Sequence, residues 1–305
     1  MNPFGQYKSS LKPIEIRELH GLLLFKPIAF VFTKVFCHTP VTPNQISIIS
    51  LFLGIVAGVV VAFGTLISIM AGGLLFIFSA APGYNSGKLF RSKKNEIKVE
   101  RMVDGAVACF ACIVFYIGLA IGLSKLVTSN QIYLPMNPWI LALIMNLAHA
   151  LHAIITDYYP NKYEGQVFGK YLYPKSQIVE FDEEKLKLGK REGKGVEKLI
   201  LNGHIKYCKM QASRAAANPI KYTPESCARN SFLLVFLWNI IGPAMHAFML
   251  GLLLILVNPM MFLWLAVVFA NIWMLLLFAS QEHFDDKLVL VEELKDRLLP
   301  IYNRY

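Results

Sequence analysis

The feature that most constrains this chain is a series of long, nearly uncharged apolar runs. Six are read: Pro43–Thr65, Ile67–Ala81, Gly105–Val127, Trp139–Tyr158, Ser231–Val257 and Met260–Ala279. About 20 apolar residues suffice for a helix to cross a hydrocarbon core of about 30 Å. The second run is shorter than the rest and leads straight into a basic stretch. Lipid offers no partner to an unpaired backbone N–H or C=O, so such runs are expected to be helices. Only 16% of the 305 residues are charged, against about a quarter in a soluble domain. The expected fold class is therefore an all-α integral membrane protein with six transmembrane helices.

Basic residues set the expected orientation. The arm up to Thr42 holds five, the link between the second and third runs six, the segment between the fourth and fifth fourteen, and the tail four. The loops of the opposite side hold only Lys125. By the positive-inside rule, the N- and C-termini are both expected to be cytoplasmic, as an even number of crossings also requires. The net charge of +10 is read as orienting the protein and attracting anionic headgroups among the membrane lipids, and no nucleic acid is expected as a partner. The polar N-terminus does not resemble a cleavable signal peptide.

The chain then divides as follows. Residues 1–42 form an N-terminal arm, in which "EIRELHGLLLFKPIAFVFTKVF" reads as an N-terminal interfacial helix with Lys26 and Lys34 snorkelling. Residues 43–158 carry the first four spans and residues 231–280 the last two. Between them, 159–230 form a small cytosolic segment: short strands or loop around "GQVFGKYLYPKSQIVEF", a charged helix over Asp182–Arg191, and a second helix over Val196–Ala217. Residues 281–305 read as an amphipathic tail helix. The Gly/Ala-rich first and second spans are suited to close helix contact. No internal repeat of the kind seen in inverted-repeat transporters is evident.

The stretch from Phe78 to Phe110 carries the chemistry. Two divalent ions in one site need several carboxylates as hard oxygen ligands. On two helix ends these would sit about a turn apart, with basic residues near for a diphosphate. "GYNSGKLFR" starts at Gly83 and ends at Arg91; eight residues later comes "ERMVDGAVA", Glu100 to Ala108. This spacing resembles the motif of the CDP-alcohol phosphotransferase (phosphatidyltransferase) family, D-x-x-D-G-x-x-A-R, eight residues, G-x-x-x-D-x-x-x-D. Gly87, Arg91 and Asp104 fall on motif positions without a gap, and Lys88 occupies a variable place. The resemblance extends to the interfacial N-terminal helix, the Thr42-Pro43-Asn44 start of the first span, the six helices and the cytoplasmic termini.

The resemblance implies a phospholipid-biosynthesis reaction, in which a substituted phosphate passes from a CDP-linked donor to an alcohol and CMP is released. It implies Mg²⁺ or Mn²⁺ held by four acids, the fourth acting as the base that deprotonates the acceptor hydroxyl. It implies substrate contacts at Gly87, Lys88, Arg91 and Arg101, and a homodimer as the assembly. The departures are as informative. The first acid position is Gly83, the second Ser86 and the fourth Ala108, which leaves Asp104 as the one surviving metal-site acid. Phe90 stands for the motif Ala and Glu100 for the motif Gly. No Asp or Glu occurs between Glu18 and Glu96, or between Asp104 and Asp157, so no shift of register restores the missing acids. One carboxylate among Lys88, Arg91, Lys93, Lys94, Lys98 and Arg101 cannot hold two divalent ions and is expected to act as a counter-ion. No catalytic residue and no cofactor is therefore expected of the chain as written.

The resulting expectation is a pseudoenzyme of the phosphotransferase fold. The alternatives are an active transferase using unorthodox ligands such as Glu96, Glu100 and Asp157, or a lipid-binding membrane scaffold or transporter. His149 and His152, three apart on the fourth span, fit either a metal or proton-relay role or interhelical hydrogen bonding, and the second is favoured; His246 reads as a packed or interhelically bonded histidine. Cys37, Cys109, Cys112, Cys208 and Cys227 show no CxxC pair outside a helix, and Cys109 and Cys112, three apart within a span, read as buried small hydrophobes. No P-loop, nucleophile elbow or zinc motif occurs.

Overall fold

A computed structural model describes residues 43–80, 97–168, 195–217, 231–256, 261 and 263–302, with isolated positions at 182, 224, 226 and 227. The described residues are helical and contain no strand. In chain order the helices are α1 (Pro43–Ala62), α2 (Leu66–Ala80), α3 (Ile97–Thr128), α4 (Pro138–Phe168), α5 (Gly195–Ala217), α6 (Phe232–Asn239), α7 (Pro243–Ile255) and α8 (Ala270–Tyr302), with a π-helical segment, Leu263–Phe269, running into α8. Four stretches are long and apolar enough to cross a membrane: Gln45–Ala62, Gly105–Thr128, Pro138–Val167 and Val267–Asp285. Two apolar helical stretches, Leu66–Ala80 and Met245–Ile255, are shorter. The protein thus has the helices of a membrane protein. The N-terminal interfacial helix and the charged helix expected after Asp182 lie outside the described residues.

Local chemistry explains where the helices stop. Gly64, at φ +71°, turns the chain after α1 in a conformation that costs glycine nothing. Thr65 and Ser68 then cap α2 reciprocally, each backbone N–H donating to the other's hydroxyl at 3.0 and 3.1 Å, a capping-box geometry. Asn137 caps α4 by accepting from the Trp139 N–H at 2.9 Å, with Pro138 at the first helical position. The expected fifth span, Ser231–Val257, is instead two helices, α6 and α7, separated at residues 240–242. Pro243 lacks an N–H and disfavours a helical residue before it, and Gly242 is accordingly extended at φ −65°, ψ 162°.

Two expectations change in the opposite sense. The fourth span runs on past Tyr158, through Pro160, to Phe168, so residues 165–168 of the expected strand or loop are helix. The tail is not a separate helix but the continuation of α8 to Tyr302. The second helix expected in the polar segment, Val196–Ala217, is α5.

The chain forms two compact units, residues 1–154 with 240–271 and residues 155–239 with 272–305. In the first, α1 packs along α3 and α2, and α2 packs on α7. Small residues make this possible. A Cβ built on Gly118 of α3 would lie 2.0 Å from the Gly58 carbonyl oxygen of α1, and one on Gly122 would lie 2.2 Å from that of Val61. Gly73 and Gly251 bring α2 and α7 together in the same way, each Cβ falling 2.8 and 2.7 Å from the other's carbonyl oxygen. Phe76 and Phe115 stack at 3.9 Å in the core, with Ile69, Leu119 and Leu250 buried around them. Lys125 on α3 donates to the Ala62 carbonyl at 2.8 Å, placing its charge at the carbonyl end of α1.

In the second unit, Trp238 is fully buried, stacked on Tyr159 at 4.3 Å and edged by the tyrosine's contacts with Tyr158 and Phe278. Its indole N–H donates to Gln281, which donates to Asp285 at 2.9 Å; Asp285 also accepts from Lys162 at 3.0 Å. Aromatic stacking on Tyr159, beside Pro160, holds α4 against α6 and α8, which offsets the one helical bond the proline removes.

Candidate functional site

The motif residues divide between described and undescribed chain. Gly83, Ser86, Gly87, Lys88 and Arg91 lie outside the described residues, as does the expected convergence of Gly83 and Ser86 with the third span. Arg101, Asp104 and Ala108 share α3, with Ala108 one turn beyond Asp104 and exposed. The resemblance expects an acid at both of these positions, and the second carries a methyl group. The residues do not fit two divalent ions: positions 83, 86 and 108 carry no carboxylate, and an Ala methyl can neither ligate nor take a proton. Among the described residues no group of three His, Cys, Asp or Glu side chains is arranged to hold a metal ion.

Asp157, an alternative ligand, is engaged within the second unit. One oxygen accepts from the Asn161 amide at 3.0 Å and the other from the Tyr207 hydroxyl. Gln211 supports this by donating to the same hydroxyl at 2.8 Å. Nearby in sequence to α6, the Cys227 thiol donates to Ser231 at 3.7 Å. Burial pushes this thiol above its ordinary value and Asp285 adds to the shift, while the Ser231 bond and Lys162 oppose it.

The most developed polar cluster lies inside the first unit, where His149, His152 and His246 are all buried. His152 Nδ1 and His246 Nε2 face each other at 2.6 Å, and His152 Nε2 faces Asn271 Oδ1 at 3.2 Å. His149 stacks on His246 at 5.0 Å and its Nδ1 lies 3.3 Å from the Tyr116 hydroxyl. Four stretches of chain are joined here: α3, α4, α7 and the start of α8.

The direction of every bond in this relay follows from its end. The Asn271 amide nitrogen donates to the Val267 carbonyl, which can only accept, so the amide oxygen must face His152. His152 Nε2 then carries the hydrogen. In the neutral ring Nδ1 is an acceptor, so His246 Nε2 must donate to it. His246 Nδ1 is left as an acceptor, buried and without a hydrogen-bond partner among the described residues. The geometry excludes a shared metal between His152 and His246. Two metal–nitrogen bonds of about 2.0–2.1 Å at a tetrahedral angle would hold the nitrogens about 3.3 Å apart. The interhelical hydrogen bonding expected of these histidines is present. Tyr116 and Asn271 escaped the sequence reading; the one available signal for Asn271 was a lone amide in the apolar run "VVFANIWML".

Searches against protein-family models, curated proteins and solved structures find no match to this chain.

Proposed function

We propose that this chain is a membrane protein of the CDP-alcohol phosphotransferase type whose two-metal site has been lost. In this reading it has six crossings, an N-terminal interfacial helix and cytoplasmic termini, and it retains contact with anionic lipid. The observation that carries it is the register of the motif: Gly87, Arg91 and Asp104 keep the family spacing while Gly83, Ser86 and Ala108 replace three of its four acids. Support comes from the helix that bears the second half of the motif, where Asp104 and Ala108 stand one turn apart at the start of an apolar span. Two shorter apolar helices, Leu66–Ala80 and Met245–Ile255, overlap the second and fifth expected crossings. The active alternative draws little from Asp157, whose two oxygens already accept hydrogen bonds.

The test is metal-dependent CMP release from CDP-alcohol donors by purified protein. The chain as written is expected to turn over at background. Loss of a general base costs about 10²–10⁴-fold, and loss of metal stabilisation of the diphosphate costs several kcal/mol more. Gly83→Asp, Ser86→Asp and Ala108→Asp together should restore Mn²⁺ binding measured by calorimetry, with Phe90→Ala added for the cytidine. Robust metal-dependent turnover by the unmodified chain refutes the proposal. So does a restored triple variant that is folded yet gains no metal affinity.

A further inference from the structure

Helix α5 has two faces of different character. Leu201, Ile205 and Cys208 point into the second unit and are buried. On the opposite side Leu199, Gly203, Lys206, Met210 and Ser213 are all exposed. Their spacing of three or four residues puts them on one continuous stripe of the helix. The stripe is not an ordinary solvated face, because Leu199 is 73% exposed and Met210 47%. Lys206 lies between them, and Lys209 flanks them, 52% exposed and bridged to Asp182 at 2.8 Å. Lysine set among large apolar side chains is the composition of a helix lying in a membrane interface.

The depth of the helix is set by its contact with α4. Tyr207 and Gln211 tie α5 to Asp157. The apolar stretch Pro138–Val167 is 30 residues long, about 45 Å at 1.5 Å per residue, and so exceeds a core of about 30 Å. A core beginning at Pro138 ends after about 20 residues, near Asp157. The Tyr207–Asp157 bond therefore holds α5 at headgroup level. The segment 159–230, in which the helix lies, has fourteen basic and eight acidic residues and is net positive in sequence.

We infer that α5 lies in the bilayer interface and docks its Leu199–Lys206–Met210 face on anionic lipid headgroups, Leu199 and Met210 entering the acyl boundary and Lys206 meeting phosphate. Residues 195–217 are then a membrane-binding surface rather than part of a cytosolic cap. The inference needs the chain to be embedded in a membrane but does not depend on the phosphotransferase reading.

Met210 reports on this without a label. The full chain is placed in nanodiscs of neutral phosphatidylcholine or of the same lipid with 30% phosphatidylglycerol. Sulfoxide formation at Met210 by hydrogen peroxide is followed by mass spectrometry. Oxidation is expected to be slower in the anionic discs, and 1 M NaCl should remove the difference by screening. Lys206→Gln should raise the rate in anionic discs about fivefold, the effect of removing one basic residue near a charged surface. Leu199→Gln should raise it independently of salt. An equal Met210 rate in neutral and anionic discs overturns the inference, as does protection in detergent that grows with protein concentration, which would mark a second copy as the occupant. Far-ultraviolet circular dichroism identifies any variant that has lost its helices, and the comparison of lipids on the unmodified chain stands without the variants.

Discussion

Gly118→Ala tests the packing on which the first unit depends. The added methyl would sit 2.0 Å from the Gly58 carbonyl oxygen, 2.7 Å from its carbon and 2.9 Å from its Cα. Ordinary contact begins near 3.4 Å, so α1 and α3 must part locally by about 1.4 Å. The obstacle is backbone, and no side chain can swing aside. Parting by even 0.5–1 Å forfeits about a quarter to a half of the dispersion attraction at each contact. Those contacts include Gly54 against Ala111 and Gly122 against Val61. Overpacking of this kind costs about 1–3 kcal/mol, and the upper end applies where backbone meets backbone. Ala recovers about 1 kcal/mol of helix propensity relative to Gly, which leaves a net loss of about 2 kcal/mol. Gly105→Ala on the same helix is the matched control, because among the described residues nothing lies within 4 Å of its new Cβ; it should gain about 1 kcal/mol. The two variants should therefore differ by about 3 kcal/mol, or about 100-fold in the unfolding equilibrium. Equilibrium unfolding in mixed micelles of rising SDS fraction, read by tryptophan fluorescence, measures this. Coincident midpoints for the two variants would refute the close approach of α1 and α3.

Three further outcomes follow from named contacts. Nitrogen NMR of histidine-labelled protein should find His152 and His246 both carrying hydrogen on Nε2, and hydrogen on His152 Nδ1 would contradict the relay; Asn271→Leu should cost about 1–3 kcal/mol by leaving the His152 N–H and the Val267 carbonyl without their partner. Lys125→Met should lower stability by about 1 kcal/mol through loss of the bond to the Ala62 carbonyl, and a glutamine there should restore little because it brings no charge. Cys227, with its thiol raised by burial, holds less thiolate at a given pH than in the unfolded chain, and thiolate is the reactive form. Its maleimide reaction at pH 8 should be slower folded than unfolded and should accelerate as pH rises; equal rates in the two states would count against its burial.

The sequence alone determined that the chain would be helical and membrane-embedded, because both follow from properties summed over 20 residues. A long apolar run has one way to satisfy its backbone in lipid, whatever its neighbours do. The helix start at Pro43 was legible for a related reason, since a proline at the first turn acts within a few residues, and Asn137-Pro138 carried the same signal one residue before the expected Trp139. The break before Pro243 had the same local signal, and Gly242-Pro243 could have been read as one. Pro160 had that signal too, yet α4 continues through it, because Tyr159 stacks on Trp238 from a distant part of the chain. The lack of acids between Glu18 and Glu96 and between Asp104 and Asp157 was legible, since absent carboxylates are absent in any fold. Tertiary structure alone decided which polar groups meet. Nothing local in His149, His152, His246, Tyr116 or Asn271 says that they share one cluster, for each sits in an apolar run separated by up to 119 residues from its partner. Nor could spacing say that Gly58 and Gly118 would touch, since the closeness of two helices is a property of both surfaces at once.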